Sequence, residues 1–215
     1  MVIGLRDRRP APGGGKIKTL SPRTIELIAV ISALVFVVVW VVGVESFRDR
    51  HYVDRFDRII EAVVSFEAPK NQFIRDNKDK VKQINSKIDD VECYVMLSSV
   101  WEHCLAFELD TDMVMSLITV ESQFTKDAVS SAGAVGYMQI MPETAELVAW
   151  RLGMMDYDLT KTKHNIRIGC CYLALLWKFS GSEEEVLGRY YAGRAWKQLG
   201  GEYSESVIAG KGNWM

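Results

Sequence analysis

The run LIAVISALVFVVVWVVGV, from Leu27 to Val44, carries no charge and a single hydroxyl, that of Ser32. As a helix its 18 residues span about 27 Å, close to the ~30 Å hydrocarbon core of a bilayer. A secretory leader has a shorter apolar core, about 7–15 residues, and a small-residue cleavage site after it. The VGVES that closes this run is a poor cleavage site, so residues 25–44 read as an uncleaved transmembrane anchor. Arg6, Arg8, Arg9, Lys16, Lys18 and Arg23 precede the run, whereas acidic and basic residues are mixed from Glu45 to Arg55. Cations hold the cytoplasmic side. Residues 1–24 are therefore expected as a cytoplasmic tail of a single-pass protein, with everything after about residue 45 outside.

The outer part divides by pattern. Residues 45–90 are densely charged with both signs, and apolar residues recur at Phe56, Ile59, Ile60, Val63 and Val64. They recur again, in steps of 3 and 4, at Val81, Ile84, Ile88, Val91 and Val95. This predicts a helical stalk of two stretches divided at Pro69, packing on the domain behind it or pairing with another copy. Residues 91–215 predict a series of helices. One is capped by Asp110 or Thr111 and ends at Glu121. A loop with Gly133 and Gly136 follows. Pro142 suits the first turn of a helix running to Leu152 and stopped by Gly153. A third helix is expected from Asn165 to Phe179, with Ile168, Tyr172, Leu175 and Leu176 on its buried side. Ser182 and Glu185 form a capping box for a helix that carries Tyr190 and ends near Gly193. No strand pattern competes, so the external domain is expected to be all-α.

A net charge of −2 gives no electrostatic case for nucleic acid. The cysteines, Cys93, Cys104, Cys170 and Cys171, lack metal-ligand spacing, and His51, His103 and His164 share none with them, so no metal and no cofactor is expected. The cysteines read as small buried apolar residues, with a disulfide from Cys170 or Cys171 to an earlier cysteine left open.

Glu121 is the residue that breaks its pattern. At 100° per residue Met113, Val114, Leu117, Ile118 and Val120 form one arc, and Asp112, Ser116, Thr119, Ser122 and Gln123 the other. Glu121 falls within the apolar arc at the negative end of the helix dipole. Both settings disfavour its anion and raise its pKa, as a general acid requires. On these residues alone, an acid and a side chain turned to solvent both remain open. The loop behind it, SSAGAVGYMQIMPETA, offers glycines that let the backbone approach a ligand closely or turn with φ > 0, and Gln139 as donor and acceptor for sugar groups. Read alone it is an ordinary loop, and Tyr190 and Tyr191 of RYYAG are ordinary core aromatics.

Together, Glu121-Ser122, Gly133-Ala134, GYMQIMP (136–142), Thr144-Ala145, NIRIGCCYL (165–173) and Tyr190 with Ala192-Gly193 closely resemble the catalytic domain of the soluble-lytic-transglycosylase family, relatives of goose-type lysozyme. The likeness covers roughly residues 91–200. Tyr137 stands where the family usually has Leu, and Tyr191 where it has Asn. The resemblance implies a lysozyme-like helical fold and cleavage of peptidoglycan glycan strands. Glu121 would be the sole acid/base, with Ser122, Gly136, Met138, Gln139, Tyr190 and Tyr191 contacting substrate, and Tyr190 also orienting Glu121. The substrate's own 6-hydroxyl closes an anhydro ring, which removes the need for a second carboxylate. The protein would then sit in a bacterial inner membrane with its domain on the cell-wall side, and the stalk would offer a surface to protein partners of an envelope-spanning machine. A hydrolytic lysozyme of the same fold and a non-catalytic glycan-binding scaffold are the rival readings.

Overall fold

In the computed structural model, which describes residues 50–214, Pro69 does not divide the stalk: helix α1 runs unbroken from Arg50 to Ile84. A proline inside a helix removes one N–H donor and costs about 3 kcal/mol. The continuation beyond it is held by burial. Phe73, Ile74 and Val81 join the core, and Lys70 is buried with them. The Lys70 ammonium pairs with Glu67 at 2.7 Å and reaches Glu102 at 3.7 Å. Before Pro69 the same helix exposes Ile59, Ile60, Val63 and Val64. Residues Ile59–Met215 form one compact unit. Of the other unit, Met1–Arg58, the described residues from Arg50 are helical. The tail and the anchor expected over residues 25–44 lie outside the described residues. Among the described residues no helix is long and apolar enough to cross a membrane.

The second apolar stripe does not lie on one helix face either. The chain leaves α1 after Ile84, and Asp89 accepts from the Val91 and Glu92 amides at 2.9 and 2.8 Å, capping α2 (Asp90–Phe107). Val81 and Ile88 are buried, while Val91 lies 60% exposed. Next come α3 (Thr111–Ser122), capped by Asp110, and α4 (Pro142–Arg151), with Pro142 in its first turn. Gly153, at φ +65°, turns the chain after α4 as expected.

Helix α5 (Thr162–Trp177) begins three residues before the expected Asn165. It buries Ile166, Ile168, Cys170 and Leu173 as well as Gly169 and Cys171, so apolar contact surrounds it on almost every side. That is the signature of a central helix, and α5 packs against α2, α4 and α6. Helix α6 (Glu183–Ala192) starts at Ser182, whose hydroxyl accepts from the Glu185 amide at 3.2 Å. Two short helices follow, α7 (Trp196–Leu199) and α8 (Gly201–Gly210). The described residues contain no strands, only the isolated bridges Val129–Val135 and Val135–Ile140.

Helix α8 accounts for one misassigned residue of α3. Ser116, expected among solvent-facing residues, is buried because its hydroxyl donates to Val207 O of α8 at 2.5 Å. Gly210 permits this contact, since a Cβ there would meet the Ser116 oxygen at 2.3 Å. Val120, placed in the apolar arc by periodicity, is 41% exposed. The four cysteines are free and buried.

Candidate active site

Helix α3 ends at Gln123 and Phe124, both in the left-handed region at φ +48° and +57°, a conformation that non-glycine residues seldom adopt. This places Glu121 on the last turn, half-buried. Burial pushes its carboxyl up to about 7, and the hydroxyl of Tyr203 opposes part of that shift by donating to Oε1 at 2.5 Å. Neither cause is another carboxylate. The direction is that predicted from the apolar arc.

The donor is not the tyrosine expected. The Tyr190 hydroxyl donates instead to Met138 O at 2.7 Å, so it braces the loop rather than the acid. It still lies within the field of Glu121. Its own ionisation is raised first by burial and then by the Glu121 charge. Tyr203, on α8, was missed because it sits beyond the segments that carry the resemblance. Its signal was faint: an apolar spacing of four to Val207 within EYSESV. Tyr191 lies flat on Tyr203, with ring centroids 4.8 Å apart and planes inclined by 15°, and is itself 58% exposed. Tyr191 therefore backs the tyrosine that holds Glu121.

The loop after α3 is templated by one buried side chain, Asn165 of α5. Its Oδ1 accepts from the Met138 amide at 2.9 Å, and its Nδ2 donates to Val135 O at 2.9 Å and Leu159 O at 3.1 Å. Gly136 lies against it. At φ +81°, with a hypothetical Cβ 2.2 Å from Asn165 Nδ2, the position excludes any side chain on both counts. Of the two uses the sequence left open for Gly136, the turn with positive φ holds, and its close approach is to protein. Ser122 ties the helix end to the loop, its hydroxyl donating to Tyr137 O at 2.8 Å. The Met138 side chain is fully buried and sits over Gly169 of α5. Gln139 is half-buried at φ +45°, and its amide nitrogen donates to Ala128 O and Gly136 O at 3.1 and 3.0 Å. Of the six residues expected to contact substrate, the structure uses the side chains or backbone of five to build the loop, and Tyr191 presents an open face.

A second carboxylate, Glu92 of α2, clamps the far side of the loop. It accepts from Lys126 Nζ at 2.9 Å, from the Tyr137 hydroxyl at 3.1 Å and from the Thr162 hydroxyl. Tyr137 uses its hydroxyl here. Among the described residues no cluster of His, Cys, Asp or Glu could hold a metal. His164 accepts from the Asp158 amide through Nδ1 at 3.1 Å.

The transglycosylase SLT domain model matches residues 100–206. Membrane-bound lytic murein transglycosylase C of Haemophilus ducreyi is 34% identical over 91 residues, 39% of this chain and 25% of its own. Endo-type membrane-bound lytic murein transglycosylase A of Klebsiella pneumoniae is 32% identical over 76 residues, 33% of this chain and 37% of its own. The matched stretch thus spans between a quarter and about two fifths of these relatives. Among solved structures, the 70 kDa soluble lytic transglycosylase SLT70 of Escherichia coli superposes with a TM-score of 0.52 at 19% identity, over 67% of this chain and 30% of that one. A likeness at that identity is one of fold. Tyr203 falls inside the matched stretch.

Proposed function

We propose, from the premise that residues 100–206 of this chain are a transglycosylase SLT domain, that the protein is a membrane-anchored lytic transglycosylase acting on peptidoglycan. The observation that carries the reading is Glu121, half-buried, held by Tyr203 and raised to about 7. A carboxyl that keeps its proton near neutrality can protonate the glycosidic oxygen of a MurNAc–GlcNAc β-1,4 bond as it leaves. Burial and the Tyr203 hydrogen bond account for its shift, which supports a site with one acid. The second half of the reaction then draws on the substrate. The N-acetyl group steadies the cationic centre, the muramoyl 6-hydroxyl attacks it, and Glu121, now ionised, takes the hydroxyl proton. The product ends in 1,6-anhydro-MurNAc. Tyr191, exposed and stacked on Tyr203, is positioned to meet a sugar ring.

The apolar run Leu27–Val44 supports an anchor over residues 25–44, and the curated relatives are named as membrane-bound enzymes. With cations before the run, the catalytic unit belongs on the cell-wall side of the inner membrane. Digestion of purified sacculi by the full chain, followed by mass spectrometry of the released muropeptides, tests the chemistry. Anhydro-muramoyl ends are expected. Reducing ends would make the protein a hydrolase, and no release would make it a glycan binder.

A further inference from the structure

The outer face of α4 presents Glu143, Glu146, Leu147 and Trp150 at helical spacings of 3 and 4, opposite the faces that pack inward. After Gly153 the chain folds back beside this face, placing Met155 and Tyr157 across from it, and the two sides enclose a concavity of about 670 Å³. Trp150 is 71% exposed, Met155 84% and Leu147 59%. Single exposed apolar residues are ordinary, but three gathered around one concavity form the kind of patch that calls for a ligand. The wall is ordered by its own contacts. Met154 N donates to Ala149 O at 2.9 Å, and Asp158 accepts from the Thr160 amide and hydroxyl at 2.8 and 2.7 Å.

We propose that this concavity is a second binding site for the glycan strand, separate from the Glu121 site; it rests on the reading that the substrate is peptidoglycan. The lining has the amphipathic character of a sugar. Trp150 and Tyr157 offer flat faces for C–H surfaces, and Glu143 and Glu146 accept from hydroxyl and N-acetyl N–H groups. A wholly apolar partner would bury both carboxylates without donors, which is unfavourable. The placement suits a polymer. Glu143 follows Gln139 of the catalytic loop by four residues, a chain reach of at most about 14 Å, so one strand can lie in the acid site and continue onto α4.

The test uses the full chain in detergent carrying Glu121→Gln, so that binding is read without turnover, and two probes: sacculus glycan strands freed of stem peptides by an amidase, and the same strands with stems. Adding Trp150→Ala should weaken binding of stem-free strands about fivefold, while Trp150→Phe should retain most of it. With Glu121 restored, Trp150→Ala should raise KM for strands by the same factor and leave kcat unchanged. Equal binding by Trp150→Ala and its parent overturns the proposal. Weakening confined to stem-bearing strands also overturns it, since the ligand would then be peptide. Trp150-dependent binding by a chain that releases no anhydro ends would remove the catalytic reading and leave this one standing.

Discussion

Glu121 and Tyr203 make opposed demands on one proton. Burial favours the neutral acid, and the Tyr203 hydroxyl, 2.5 Å from Oε1, favours the anion. Replacing Tyr203 by Phe removes only the second effect. The carboxyl should then titrate higher, so the alkaline limb of the kcat/KM profile should move above its wild-type position near 7 while the maximal rate falls about tenfold, as one hydrogen bond of ~1 kcal/mol and a loosened rotamer allow. Tyr190→Phe should lower the rate without moving that limb, because its hydroxyl is bound to Met138 O. A limb that moves in Tyr190→Phe and stays put in Tyr203→Phe would reverse the assignment. The same acid bears on stability. Below about 4.5 the carboxyl is protonated whether the chain is folded or not. As pH rises from there through 7 the unfolded chain releases the proton first, so stability falls and stays lower above 7. Glu121→Gln should therefore match the wild type at pH 4 and exceed it at pH 8, by up to about 3 kcal/mol, while losing at least ~10² in turnover. Chemical denaturation at the two pH values, with the muropeptide assay beside it, checks both halves.

The elements show which features of this chain local pattern dictates. Asp110, Pro142, Gly153 and Ser182 mark helix ends through backbone chemistry that acts within a few residues, and each stands at its expected boundary. Pro69 fails as a boundary because tertiary burial of Phe73, Ile74 and Val81 outweighs the loss of one donor. The Ser116 face was unreadable because its cover, α8, lies 91 residues away. Glu121 was legible as an apolar-face carboxylate, while its partner Tyr203 is 82 residues distant and announces nothing locally. Asn165 stood within a recognisable segment, but its role as template for the loop appears only when Val135, Met138 and Leu159 are brought around it. Asn165→Ala strands one amide and two carbonyls in a buried setting. The expected loss is about 2–4 kcal/mol of stability, with a fall in kcat greater than any rise in KM, because the loop holding Met138 O and the Tyr190 brace loses its register. Asn165→Asp keeps the acceptor for the Met138 amide but not the two donors, and should rescue only part of the loss.

At the scale of the whole molecule, α1 joins two different roles in one continuous helix. Within the unit that begins at Ile59 it exposes Ile59, Ile60, Val63 and Val64, whereas beyond Pro69 it supplies Phe73, Ile74 and Val81 to the core. Asn85, just past its end, donates to Phe124 O at 2.8 Å, three residues after Glu121. The segment that reads as a stalk by charge density is thus, in its second half, part of what holds the end of α3. Two truncations separate the roles. A chain beginning at Arg50 loses the apolar run and should leave the membrane fraction with its turnover intact. A chain beginning at Asp89 loses four core side chains, Phe73, Ile74, Val81 and Ile88, worth about 1.5–3 kcal/mol each, a total comparable to the 5–15 kcal/mol that holds a domain of this size. It should aggregate or expose its core to hydrophobic dyes. If the chain from Asp89 folds with the thermal midpoint of the chain from Arg50, α1 is a tether only, and its packing on α2 contributes nothing to the catalytic unit. If the chain from Arg50 stays with membranes, the anchor lies elsewhere than residues 25–44.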